Sequence, residues 1–241
     1  MIKGLKIFDT PENLARYLAD ELQSSINNST GNYYLAVSGG STPLVLFDKL
    51  AHPFFRNNIT WDKSHFFWCD ERCVAPDDPE SNFGAADRIL FKQIQIPEAN
   101  IHRIHGEDNP NEEVVRYSNE IEKIVPAGNG SLPQFDRVLL GLGEDGHTAS
   151  LFPKSNLLFI YSNIAGVAKH PVTGQKRISL TADILSRAKR ITFVVTQKAK
   201  AKVLSEILND LPVSKNYPAS QIKSAAENID WFIDKEAAFY L

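Results

Sequence analysis

The sequence predicts an α/β fold with a mostly parallel central sheet and helices on both faces. Three observations carry that expectation. Short β-rich runs alternate with helical patterns along the chain, as in successive βα units. The run over residues 135–142 is apolar apart from Asp136 and Arg137, as a parallel strand buried on both faces should be over most of its length. Three polar clusters, at 38–42, 70–72 and 144–147, fall where strands end, and such sheets bind ligands at the carboxyl ends of their strands.

The elements follow in order. Residues 5–8 form a first strand. Residues 11–26 place Leu14, Tyr17, Leu18, Leu22 and Ile26 on one helical face, with Thr10 as N-cap and Pro11 at the first helical position. A strand over 33–37, a helix over 43–50, a strand over 64–69 and a helix over 82–91 come next. Residues 112–125 are helical, and 135–142 is the buried strand. Strands over 177–180 and 191–195 precede an amphipathic helix over 198–211, whose apolar face is Val203, Leu204, Ile207, Leu208 and Leu211. A short strand over 231–233 ends the pattern. The stretch 127–133, rich in glycine, reads as a connection between helix and strand. With 241 residues and no internal repeat or low-complexity tract, the chain suits one large α/β domain, two smaller domains being the alternative.

Composition excludes several classes. The chain is 43% hydrophobic and 23% charged, with net charge −3, so nothing in it attracts nucleic acid or an anionic membrane in bulk. An anionic substrate must then be held by a few placed cations or N–H groups. No apolar run approaches the 18 residues of a membrane span, and the start lacks a signal-peptide core, so a soluble, cytoplasmic protein is expected. Cys69 and Cys73 are then reduced thiols. No second cysteine pair completes a zinc site, and His102 and His105 lack helical metal-ligand spacing, so no metal is expected.

The most informative segment is Gly141-Leu142-Gly143-Glu144-Asp145-Gly146-His147-Thr148-Ala149-Ser150-Leu151-Phe152-Pro153, a glycine-rich turn after a buried strand that presents Asp145 and His147. Histidine titrates near neutrality and suits general base chemistry there. Gly141-x-Gly143-x-x-Gly146 also matches the dinucleotide fingerprint. That fingerprint needs an acid about 20 positions on to hold the ribose. Residues 161–168 carry none, so a nicotinamide cofactor is not expected.

Ser38-Gly39-Gly40-Ser41-Thr42-Pro43 is strand, turn and helix start. Its glycines let the backbone approach a ligand, its hydroxyls and free N–H groups favour a phosphate, and it lacks the Walker spacing for a nucleoside triphosphate. Asp70-Glu71-Arg72 follows an aromatic strand. A carboxylate beside an arginine stays ionised, and Arg72 has the planar fork to clamp a phosphate. Arg177 and Lys200 stand at the edges of later elements, where plain surface charge is the commoner role.

Together with the loop Ser81-Asn82-Phe83-Gly84, these blocks resemble the glucosamine-6-phosphate isomerase/6-phosphogluconolactonase family, in order and spacing, over about residues 8–234. The resemblance implies the fold of glucosamine-6-phosphate deaminases and ribose-5-phosphate isomerases. It implies hydrolysis of 6-phospho-D-glucono-1,5-lactone in the oxidative pentose phosphate pathway, with His147 as general base and Asp70 and Arg72 as active-site partners. It also implies that Ser38, Gly39, Gly40, Ser41 and Thr42 form part of the sugar-phosphate site, with Arg177 and Lys200 as further contacts. Gln197 departs from the family pattern, which often has glycine there.

Such a reaction needs little. A δ-lactone is a reactive ester, so one base for water and a donor for the oxyanion suffice, without metal or organic cofactor. His147 would activate water, with Asp70 or Asp145 fixing its ring and the glycine turn or Arg72 receiving the oxyanion. The substrate is the only partner expected, with no obligatory protein partner. A nucleophilic Ser38 or Ser150 is the chemical rival, although neither sits in a Gly-x-Ser-x-Gly elbow. An amino-sugar phosphate deaminase or isomerase is the functional rival. A non-catalytic sugar-phosphate sensor would need a DNA-binding segment for which the chain has no basic patch.

Overall fold

Seven parallel strands form the central sheet of this computed structural model, which describes residues 2–128, 132–158, 163–222 and 228–241. In chain order the first half comprises β1 (Leu5–Phe8), α1 (Pro11–Asn27), β2 (Tyr33–Val37), α2 (Ser41–Ala51), α3 (Pro53–Arg56), β3 (Ser64–Trp68), β4 (Asp70–Arg72), α4 (Asn82–Ile89) and β5 (Ile101–His102). The second half comprises α5 (Pro110–Ile124), β6 (Arg137–Leu140), β7 (Ala165–Lys169), β8 (Lys176–Leu180), α6 (Ala182–Ser186), β9 (Ile191–Val195), α7 (Ala201–Leu208), α8 (Pro218–Gln221) and β10 (Ile229–Asp234). The sheet order is β1-β10-β9-β6-β2-β3-β5.

That order explains where a ligand belongs. The connections β1 to β2, β2 to β3 and β3 to β5 run one way along the sheet, while β5 to β6, β6 to β9 and β9 to β10 run the other. Right-handed crossovers therefore put α1, α2 and α4 on one face and α5, α6 and α7 on the other. Contacts of α2 with both α1 and α4 agree with that division. The direction reverses between the neighbours β2 and β6, which opens a crevice beyond their carboxyl ends. Both glycine-rich turns singled out above start there.

Local signals match the elements they form. Thr10 accepts from the Asn13 N–H and Pro11 opens α1, which buries Leu14, Leu18, Leu22 and Ile26. Asn109 caps α5, with Pro110 at its first position, so that helix starts two residues before the expected 112. The helix expected over 198–211 is shorter. A 3₁₀ turn occupies Lys198–Lys200, α7 stops at Leu208, and Asp210 at φ +49 turns the chain away, which leaves Leu211 exposed rather than on the apolar face. Of the expected connection over 127–133, residues 129–131 lie outside the described residues, and Ala127 bridges Pro133 across them.

The main departure is a second sheet. Residues 70–72 are not a polar turn and 177–180 is not a strand of the parallel sheet. Both belong to a three-stranded antiparallel sheet, β4-β8-β7, whose third strand the sequence did not suggest. Cys69 is the switch. Its N–H donates to Val37 O in the central sheet at 2.8 Å, and its C=O accepts from Leu180 N in the small one at 2.8 Å. No helix among the described residues is long and apolar enough to cross a membrane.

A polar chain lies under the β3–β5 edge. His65 Nδ1 is 3.0 Å from His102 Nε2, His102 Nδ1 is 2.8 Å from Glu120 Oε1, and Arg116 pairs with the other Glu120 oxygen. Neutral rings satisfy this chain when each Nδ1–H donates onward, from His65 to His102 and from His102 to Glu120. Burial, then the neighbouring His102 ring, pulls His65 down to about 4. Between the ordinary histidine pKa of about 6.5 and 4, the unfolded chain takes up a proton that the folded chain refuses. Stability should therefore fall as pH drops through that window. His65 is partly exposed, so screening holds the loss to about 1–2 kcal/mol. Urea unfolding at pH 7 and pH 4.5 checks this, and His65→Phe should flatten the difference.

His105, Asp108 and Glu113 also gather near the start of α5. Glu113 there is taken by the His105 N–H at 2.7 Å and by Arg116 at 2.5 Å, so it serves the loop and helix rather than standing open.

Candidate active site

The crevice between β2 and β6 is a cleft of about 200 Å³. The 38–42 loop, the 141–149 turn, Asp70, Arg72, Arg177 and the 194–200 segment line it. It thus brings together most residues named from sequence, from elements far apart in the chain. Asp145 stands beside it as the partner of His147.

The turn after β6 is built around its glycines. Gly143 donates to His147 O at 2.8 Å and Gly146 donates to Gly143 O at 3.0 Å, which closes the loop. Gly146 has φ +81, where only glycine is unstrained. A β-carbon on Gly143 would overlap the His147 imidazole, so the ring lies directly against the backbone. His147 Nδ1 sits 2.5 Å from Asp145 Oδ1, and the same oxygen accepts the His147 backbone N–H at 3.1 Å. Burial pushes the Asp145 carboxyl up, yet hydrogen bonds and charge from His147 outweigh it and hold Asp145 at about 2. An ionised Asp145 on Nδ1 leaves Nε2 as the ring's proton-accepting atom.

Of the two carboxylates raised for this role, Asp145 therefore orients the ring and Asp70 does not. Asp70 is buried on β4, where Oδ2 accepts from Ser150 Oγ at 2.6 Å and lies 4.0 Å from Arg177 Nη1. The same bond disposes of one rival. Ser150 is fully buried and its hydroxyl is committed to Asp70, so it has no approach to a substrate.

The Asp70-Glu71-Arg72 triplet divides because β4 alternates its side chains. Asp70 and Arg72 reach the cleft, and Glu71 points the other way into the interior. There Glu71 accepts from Arg72 N, Asn82 N, Phe83 N and Ser81 Oγ at 2.7–3.1 Å, which ties β4 to the start of α4. Burial raises its pKa against those donors. Asn82 donates on to Asp70 O at 2.9 Å, and its side chain occupies the space a β-carbon on Gly39 would need.

Arg72 and Arg177 are direct partners across the β4–β8 ladder. Arg72 Nη1 donates to Glu80 O, but the Nε of each arginine is buried without a partner. Burial lowers the Arg177 pKa and the neighbouring Asp70 carboxylate opposes that shift. The helix α2 begins at Ser41, two residues before expected, with Gly40 in the left-handed region at φ +105 and Thr42 Oγ1 bonded to Thr196 Oγ1 at 2.7 Å. Lys200 lines the same end of the cleft.

Sequence reasoning missed three contributors. The Phe152 ring lies tilted against His147, with centroids 5.0 Å apart, and sits under the Arg177 guanidinium at 5.7 Å. His170, at the β7–β8 turn, packs edge-to-face with Phe152, centroids 5.0 Å apart, and accepts two backbone N–H groups on Nδ1. Asn82 links the loop to β4. Phe152 and Asn82 lay within quoted motifs without a role of their own; His170 carried no local signal.

Comparison with known proteins agrees with this geometry. The family model described as "Glucosamine-6-phosphate isomerases/6-phosphogluconolactonase" matches residues 9–231. A Haemophilus influenzae protein named 6-phosphogluconolactonase is 43% identical over 232 residues, covering 95% of this chain and 96% of that protein. A crystal structure described as devB protein superposes with TM-score 0.93 at 41% identity, covering 99% of both chains. A monomeric glucosamine-6-phosphate deaminase superposes with TM-score 0.81 at 21% identity, covering 98% of this chain and 99% of that one, which establishes a shared fold.

Proposed function

The chain belongs to the glucosamine-6-phosphate isomerase/6-phosphogluconolactonase family, and from that premise we propose that it hydrolyses 6-phospho-D-glucono-1,5-lactone to 6-phosphogluconate. The observation that carries the reading is the Asp145–His147 pair. It leaves one imidazole nitrogen free at a cleft whose other walls are cationic and rich in N–H groups.

In this mechanism His147 Nε2 takes a proton from a water as its oxygen attacks the lactone carbonyl. Ionised Asp145 stabilises the imidazolium that forms. The oxyanion needs a donor, and the Gly143 and Gly146 N–H groups are already spent inside the turn. Arg72, whose side chain lines the cleft, is the stronger of the two candidates. As the tetrahedral carbon collapses, the ring oxygen leaves and takes the proton from His147, which opens the lactone to the hydroxy acid. The 38–42 loop, the α2 N-terminus, Arg177 and Lys200 hold the phosphate and fix the carbonyl at working distance. Asp70, fixed by Ser150 and facing Arg177, keeps that cation oriented.

The test is lactone hydrolysis, with substrate generated in situ and the spontaneous rate subtracted, run beside ammonia release from glucosamine-6-phosphate. The purified chain should hydrolyse the lactone at about 10–1,000 s⁻¹, an ordinary enzymatic turnover, and release no ammonia. Ammonia release without lactone hydrolysis would transfer the site to the deaminase chemistry of the same family.

A further inference from the structure

Gln197 is held in a backbone conformation that its own residue type disfavours. It has φ +81 and ψ 140, a region occupied with ease only by glycine. Its surroundings enforce this. The Gln197 N–H donates to the two Asp234 oxygens at 3.2–3.3 Å, and its C=O accepts from Lys200 N at 3.1 Å. Asp234 is itself buried and anchored by the Ala237 N–H at 2.7 Å. Glycine would meet every one of these backbone demands without strain. What glutamine adds is its side chain, which is exposed and lines the cleft beside Thr196 and Lys200. Gly40 lines the same cleft, with no atom within 4 Å of where a β-carbon would project. The amide therefore borders open space at the end of the cleft where α2 starts.

We propose that Gln197 is a substrate-binding residue whose side-chain amide donates from Nε2 to the phosphoryl oxygens of the sugar phosphate. Phosphate is an acceptor only, so the amide serves as donor, and Lys200 supplies charge from the next turn. The inference rests on the sugar-phosphate reading of the cleft, and its test separates the two.

The experiment compares wild type, Gln197→Gly and Gln197→Ala. Calorimetry with inorganic phosphate and with 6-phosphogluconate should show both variants binding about 10-fold more weakly, the effect of one hydrogen bond to a charged group. Gln197→Gly, which relieves the strain, should melt no lower than wild type. In the lactonase assay, KM for the phosphorylated lactone should rise by the same factor with kcat within about twofold, since the amide lies away from the reacting carbonyl. Hydrolysis of unphosphorylated glucono-δ-lactone should not change. Wild-type affinity for phosphate in either variant overturns the proposal, as does an equal rise in KM on the unphosphorylated lactone. Weakened phosphate binding in a protein that lacks lactonase activity would uphold Gln197 and overturn the lactonase reading.

Discussion

His147→Ala is expected to lower kcat for the phosphorylated lactone by about 10²–10⁴-fold, the range over which a positioned general base acts. The melting temperature should stay within about 2 °C of wild type, because the ring is partly exposed and its removal leaves the turn's backbone bonds in place. KM should move little, since the phosphate contacts lie on other elements. Lactonase assays on the folded variant, with circular dichroism as the folding control, give the answer. Undiminished kcat would remove His147 from the chemistry and return attention to Ser38, a buried hydroxyl without a hydrogen-bond partner at the same cleft.

The second large effect is on stability. Glu71→Ala should cost about 3–4 kcal/mol, because three backbone N–H groups and the Ser81 hydroxyl would lose their acceptor inside the protein. For a chain of this length that is a fall of roughly 6–16 °C in melting temperature. The same loss frees the start of α4, so Asn82 would no longer be pinned against Gly39. KM should rise in step with the destabilisation. Scanning calorimetry checks the first part, and a melting temperature within 2 °C of wild type would show that Glu71 does not hold β4 to α4.

These two residues show how far the sequence could be read. His147 was legible because its chemistry and its turn lie in one contiguous segment, where glycine spacing and the preceding apolar strand are local signals. Six of the seven parallel strands were legible for a similar reason, as mainly apolar runs set apart by helical periodicity, while the two-residue β5 was not. Glu71 was quoted in the right motif, yet its role was hidden. Strand alternation sends it inward while its neighbours face the cleft, and nothing in the triplet distinguishes those directions until β4 has a partner. That partner was itself hard to see. The run from 66 to 72 continues without glycine or proline, so the change of sheet at Cys69 leaves no mark. Ala165–Lys169, with two alanines and a glycine, is weak as a strand by propensity and forms because β8 and α5 flank it. Asp145 rather than Asp70 on His147 is a matter of angstroms, which spacing alone does not fix.

Arg72 and Arg177, facing each other across one rung of the small sheet, have a last consequence. Like charges directly opposite on a ladder repel, by roughly 0.2–1 kcal/mol on an open surface. Here Asp70 offsets part of that from 4.0 Å. On the reading proposed above, an anionic substrate entering the cleft would meet this pair of cations and offset the rest of that repulsion. Ligand binding and cohesion of the β4–β8 pair would then be coupled, so that the substrate would fasten the two strands that contribute to its own site.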